Sequence, residues 1–119
     1  MAVDQTTFEL TVIRDATYDD VAHDILSWTV TKDFTTISPV WVGVLTIRHR
    51  TTDAQLLSAT VTAASATELR CTLLAADTAF ALLVDDDEFG NHRYDIQMTR
   101  GVSNEVIGPY IAKIIKDVK

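Results

Sequence analysis

The chain has 119 residues and a formal net charge of −7, with 47% hydrophobic and 23% charged residues. This length suffices for one domain with its own core, so we expect residues 1–119 to form a single domain. The acidic balance argues against binding to nucleic acids or anionic membranes, because phosphate groups attract Lys and Arg clusters and only "RHR" at Arg48–Arg50 is present.

The first two elements show the alternation of apolar and polar residues that is typical of half-buried strands. In "TTFELTVI" the apolar positions are every second residue, and the acidic turn "RDATYDD" ends the pattern. "VAHDILSWTVT" resumes it less regularly, and we expect Ile25, Trp28 and Val30 to point inward. The sequence therefore predicts two short strands before the polar connection that ends at Pro39.

The segment "VWVGVLTIRHR" predicts a central strand, because both of its faces are apolar where it begins. One predicted face carries Trp41, Gly43, Leu45 and Ile47, and the other begins with Val42 and Val44. "LLSATVTA" and "ELRCTLL" then continue the alternation, and Cys71 falls at a core position within the second of them. We expect a buried, inert thiol there.

Two further elements precede the C-terminal segment. "AADTAFALLV" changes period and predicts a short helical turn near Asp77–Leu83, with Phe80 and Leu83 facing the core. "GNHRYDIQMTRG" then predicts a strand that places His92, Tyr94, Ile96 and Met98 on one face. "RGVSN" is typical of a hairpin turn that contains glycine.

The last segment, "VIGPYIAKIIKDVK", carries two conflicting patterns. Its apolar residues fall at helical spacing, and Pro109 suits a first helical turn. Its residue types are β-branched and aromatic, which favours a strand. The remaining elements together predict an all-β fold, an immunoglobulin-like antiparallel β-sandwich of about seven strands.

The acidic run "DDDE" at Asp85–Glu88 invites comparison with a calcium-binding loop. Asp85 and Asp87 have the first carboxylate spacing of an EF-hand, but its fifth and twelfth positions would be Phe89 and Ile96, which supply no carboxylate. We therefore expect an exposed, solvated loop and no metal site.

No other cluster of residues predicts chemistry. His23, His49 and His92 lie in three separate segments without ligand spacing, so we interpret them as unrelated, partly exposed structural residues. No serine lies in a Gly-x-Ser-x-Gly elbow, and Cys71 has no recognisable base. We expect a protein that is not an enzyme, with no catalytic residues and no cofactor.

The order of the elements resembles the N-terminal-type β-sandwich domain of phage upper baseplate and related tail proteins. The resemblance rests on "IRDAT", on the strand "VGVLTIRHR", on "LLAADTAFALL", on "YDIQMT" and on the ending "GPYIAKIIKDV", whose match favours a C-terminal strand. It implies a structural part of a virion that docks to other tail proteins and repeats by symmetry. It implies no catalytic residues.

Surplus apolar strand faces predict a self-associating protein, because a face that the domain does not cover is commonly covered by a partner. The candidate interface residues are Trp41, Val42, Val44, Ile111 and Ile115. With no signal peptide evident in "MAVDQTTFEL" and no apolar run of membrane-spanning length, we expect cytoplasmic synthesis and a place in the virion, without membrane insertion.

Two other function classes stay open. A carbohydrate- or receptor-binding sandwich is possible if Trp28, Trp41 or Tyr18 forms an exposed platform on which a sugar could stack. A capsid decoration or head–tail connector protein is the structural relative of the tail component.

Overall fold

The computed structural model describes residues 2–19, 25–34, 40–88 and 90–116. Seven strands form one sheet in the order β1-β7-β6-β3-β4-β5-β2. The strands are β1 (Leu10–Ile13), β2 (Leu26–Thr29), β3 (Val42–Arg48), β4 (Gln55–Ser65), β5 (Glu68–Cys71), β6 (His92–Arg100) and β7 (Ser103–Ile115). The predicted all-β class is confirmed. Within these described ranges, no helix is long and apolar enough to cross a membrane.

The arrangement of the strands differs from the predicted antiparallel sandwich. All seven strands belong to a single sheet, and β1 pairs with β7 in parallel, whereas the other neighbours are antiparallel. The long strands β4, β6 and β7 allow the twist of the sheet to accumulate into a curl. The sheet thereby encloses its own inner face, and no second sheet is needed to cover it.

The two ends of the curled sheet are tied together by the segment before β1. The Gln5 side chain donates to the Ser27 carbonyl at 2.8 Å and accepts from the Thr29 amide at 2.9 Å, so one amide group bonds two backbone groups on the outer edge of β2. The flank of β1 is covered by an antiparallel bridge between Val3 and Leu10. Part of each edge is therefore occupied by the chain itself.

The inner face holds the core, and the alternation predicted for β3, β4 and β6 is confirmed. The most deeply buried large side chains include Trp28, Phe34, Leu45, Ile47, Leu69, Tyr94, Ile96 and Met98. The prediction for β2 was wrong at one position, because Ile25 is half-buried and Leu26 is buried in its place. Leu26 shares the inner face with Trp28 because residues two apart in a strand point to the same side.

The helical turn expected near Asp77–Leu83 is not formed, and this segment consists of turns. Phe80 and Leu83 nonetheless face the core as predicted, and Phe80 adopts a positive φ of 50° to do so. The described residues contain one short 3₁₀ helix, at Asp85–Asp87.

The C-terminal segment is a strand, as the resemblance favoured. β7 runs to Ile115 and pairs with β6 and β1. A two-residue hairpin turn at Gly101 and Val102 joins β6 to β7, with Gly101 at a positive φ of 58°. Glycine adopts this left-handed conformation without the steric cost that other residues meet.

Candidate docking surface

The outer face of β4, β3, β6 and β7 contains a surface without charge, which we call the neutral face. Strand register places its residues in two parallel rows. Its eight residues, all exposed, are Val42, Val44, Thr60, Thr62, Gln97, Thr99, Asn104 and Val106. None of these eight side chains is ionisable, although the chain as a whole carries a net charge of −7.

Three valines form the apolar part of the neutral face. Val42, Val44 and Val106 are 47%, 43% and 58% exposed. Val44 and Val106 flank Gln97 in one row, because both pair with it across adjacent strands. Strands lie about 4.8 Å apart, so the four strands present a nearly continuous surface of methyl, hydroxyl and amide groups.

Charged residues lie on two sides of the neutral face. Arg70 lies beside Thr62 across the β4–β5 pairing and forms an ion pair with Glu68. In the other direction the next row of side chains already contains Asp95, which pairs with Thr46. An uncharged centre with a charged rim is the usual anatomy of a protein–protein interface.

Only two of the five predicted interface residues lie in the neutral face. Val42 and Val44 lie together in the neutral face. Trp41 does not belong to a surface: it is only 8% exposed and packs edge-to-face on Phe34, with ring centroids 5.2 Å apart. The prediction for Trp41 was wrong because it shares the inner face with Gly43 and Leu45.

The two isoleucines lie elsewhere. Ile111 is exposed but pairs with Arg93, four residues along β6 from Gln97, which is about 13 Å at the rise of a strand. Ile115 is half-buried beside Ile13 at the β1–β7 pairing. Sequence reasoning missed Val106, because only the register of the β6–β7 hairpin brings it next to the β3 valines.

The aromatic platform considered for sugar binding is not formed. Tyr18, Trp28 and Trp41 are all buried, at 4%, 0% and 8% exposure. A sugar ring stacks on an exposed aromatic face, and these three side chains offer none.

A buried polar cluster lies at the far end of β3, away from the neutral face. The rings of His49 and His92 lie 5.1 Å apart, and both side chains are buried. His49 Nε2 lies 3.0 Å from Asp87 Oδ2, and His92 Nε2 lies 2.7 Å from the Asp87 carbonyl oxygen. The interpretation of these histidines as unrelated and partly exposed was therefore wrong for both. His23 lies outside the described residues.

The acidic run is also more buried, and makes more ion pairs, than the solvated loop that the sequence predicted. Glu88 is 1% exposed and forms an ion pair with Arg14, which also donates from Nε to the Ala79 carbonyl at 3.0 Å. Asp87 accepts from Arg50 as well as from His49. Among the residues that the structure describes, no group of three or more His, Cys, Asp or Glu side chains is arranged to hold a metal ion.

Comparison with protein-family models, curated proteins and solved structures finds no match to this chain.

Proposed function

We propose that the protein is a structural building block that associates with a second copy of itself through the neutral face. The observation that carries this proposal is the grouping of Val42, Val44 and Val106 in an exposed surface of eight uncharged side chains. The sequence resemblance to phage baseplate and tail proteins supplies the setting, a component of a virion tail.

A second copy is the partner that the charge distribution favours. Two molecules that each carry a charge of −7 repel one another over most of their surfaces. They approach at lowest cost where neither presents a charge. A two-fold arrangement would place the neutral face of one copy on that of the other, which is the common geometry of homodimers.

The edges of the sheet support a face-to-face contact over strand addition. Gln5 occupies two hydrogen-bonding groups on the outer edge of β2, the Ser27 carbonyl and the Thr29 amide. On the flank of β1, the Thr11 amide already donates to the Ala2 carbonyl at 2.8 Å. Association by strand addition would have to displace these bonds, whereas association through the neutral face displaces only water.

The alternative function, carbohydrate binding, rested on three aromatic side chains that the structure shows to be buried. A capsid decoration or head–tail connector protein would use the same kind of self-association. It differs from a tail component in its location in the particle.

Sedimentation velocity over a concentration series tests the self-association. We expect a shift from monomer to dimer as the concentration rises. Higher ionic strength should strengthen the dimer, because salt screens the repulsion between the acidic copies. Val44→Glu should weaken the association at least about tenfold, because a symmetric contact would bury two like charges without partners.

Val84→Glu is the matched control, because Val84 is 63% exposed but lies outside the neutral face. This variant should associate as the wild type does. A wild type that stays monomeric at every concentration, or a Val44→Glu variant that associates normally, contradicts the proposal. Mass spectrometry of phage particles purified from the strain that carries the gene tests the virion setting separately.

A further inference from the structure

His92 is held in one neutral form by its two hydrogen bonds. Its Nδ1 accepts from the Arg50 backbone amide at 3.1 Å, so Nδ1 carries no proton. Its Nε2 then carries the proton and donates to the Asp87 carbonyl at 2.7 Å. A second proton, on Nδ1, would point at the Arg50 N–H group. The positively charged form of His92 is therefore incompatible with this geometry.

His49 differs from His92 in its surroundings. Its Nδ1 accepts from the Thr51 and Thr52 amides at 3.2 and 3.4 Å, and the Thr51 hydroxyl lies 3.1 Å from the same nitrogen. Its Nε2 faces the Asp87 carboxylate at 3.0 Å. His49 therefore contacts the Asp87 side chain, whereas His92 contacts the Asp87 backbone.

These bonds attach two segments to the end of the β3–β6 pairing. His92 connects the backbone at Arg50 to the backbone at Asp87, and the Arg50 guanidinium returns to the Asp87 carboxylate at 3.3 Å. The segment that contains Asp87 follows Phe80 and Leu83, whose side chains are buried in the core. Arg14 holds both ends of this segment through the Ala79 carbonyl and the Glu88 carboxylate, without help from either histidine.

We propose that His92 is a proton-operated latch: mild acidification releases residues 84–87 and the turn at 50–52 from the end of the sheet, while Glu88 stays paired with Arg14 and the seven strands stay paired. Among the residues that the structure describes, the titratable or charged groups that face His92 are Asp87, Arg50 and His49. Asp86 contributes only its backbone carbonyl, which accepts from Arg50 at 3.4 Å.

The direction of the pH response follows from the burial of the ring. Burial lowers the pKa of His92 below its ordinary value of 6.5 and outweighs the hydrogen bond to the Asp87 carbonyl, which acts in the opposite direction. The released ring regains an ordinary pKa, so it takes up a proton at a higher pH than the latched ring does. The latched state is thus favoured above about pH 6.5 and loses stability as the pH falls below that value.

Hydrogen–deuterium exchange at pH 7.5 and pH 5.5, corrected for the intrinsic pH dependence of exchange, tests the latch. We expect the opening of peptides that cover residues 49–54 and 84–87 to rise about tenfold between these two pH values, which is the limit for one group of pKa 6.5 in the open state. Peptides from β4 and β5 should keep their protection. An equal loss of protection in those strands would mean acid unfolding and would overturn the proposal.

His92→Asn is the critical variant, because the Asn side-chain oxygen can accept from the Arg50 amide but cannot be protonated in this range. Its opening should not respond to pH, whereas His49→Asn should still respond. A pH response that persists in His92→Asn, or one that disappears only in His49→Asn, would show that a group other than His92 causes the opening and would refute the latch.

An NMR titration of the His92 ring in the wild type gives a check that does not depend on any variant folding. Ring protonation that fails to track the exchange also refutes the latch.

Discussion

The indole nitrogen of Trp28 donates a 2.9 Å hydrogen bond to the phenolic oxygen of Tyr94 inside the core, where both side chains are almost fully buried. Trp28 belongs to β2 and Tyr94 to β6, and three other strands separate these two in the sheet. The Tyr94 hydroxyl in turn donates to the Phe8 carbonyl. This chain of polar groups crosses the interior of the curl and joins parts of the sheet that share no backbone bonds.

Tyr94→Phe should lower the free energy of unfolding by about 1–3 kcal/mol, because it leaves the Trp28 N–H and the Phe8 carbonyl without a partner in the core. Urea denaturation monitored by tryptophan fluorescence measures the change. Tyr110→Phe is the control, since Tyr110 is only half-buried and stacks near the same ring. Equal stability of Tyr94→Phe and the wild type would show that the buried hydrogen bonds contribute nothing net.

The Arg14–Glu88 pair predicts an asymmetric response to substitution. Arg14→Met leaves the buried Glu88 carboxylate without its cation and should cost about 3–5 kcal/mol. Glu88→Gln should cost less, because the Arg14 side chain is 25% exposed and its charge can reach water. Urea denaturation of both variants at pH 7 measures the difference, and the double variant should recover part of the loss. A larger cost for Glu88→Gln would contradict this account.

Cys71 should be inert in the folded protein. Burial raises the pKa of its thiol to about 12, and the nearby Asp77 charge acts in the same direction. The reactive thiolate is therefore scarce at pH 8, and the 1% exposed side chain is shielded from reagents. A thiol reagent such as DTNB should label it only after unfolding in urea. A cysteine introduced at exposed Ser103, in a Cys71→Ala background, should react promptly, and rapid labelling of native Cys71 would refute the expectation.

Local alternation predicted most of the strands but not their arrangement. In β3 and β6 every second residue is buried, as the pattern indicated, because side chains alternate sides in any extended strand. The same alternation fits two packed sheets or one curled sheet. The choice depends on long-range contacts such as the parallel pairing of Leu10 with Ala112. Turn and strand patterns carry no information about that contact.

The candidate sites depended on strand register even more strongly. Arg48 pairs with Arg93, so His49 and His92, each one residue beyond that pair, come together although 43 positions separate them in sequence. The pairing of β6 with β7 adds Val106 to the neutral face. Sequence reasoning recognised each residue as polar or apolar, and grouped residues of one strand by face, but could not place residues of different strands side by side.

Gln5 has a consequence for how the chain behaves if its first residues are lost. An unprotected strand edge recruits other extended chains, and continued recruitment produces fibrous growth. Here the side chain of a single residue shields the outer edge of β2, and the neighbouring residues at the start of the chain shield β1. Proteolytic trimming before Leu10 would therefore uncover these groups on both edges at once and turn a self-limited unit into a template for aggregation.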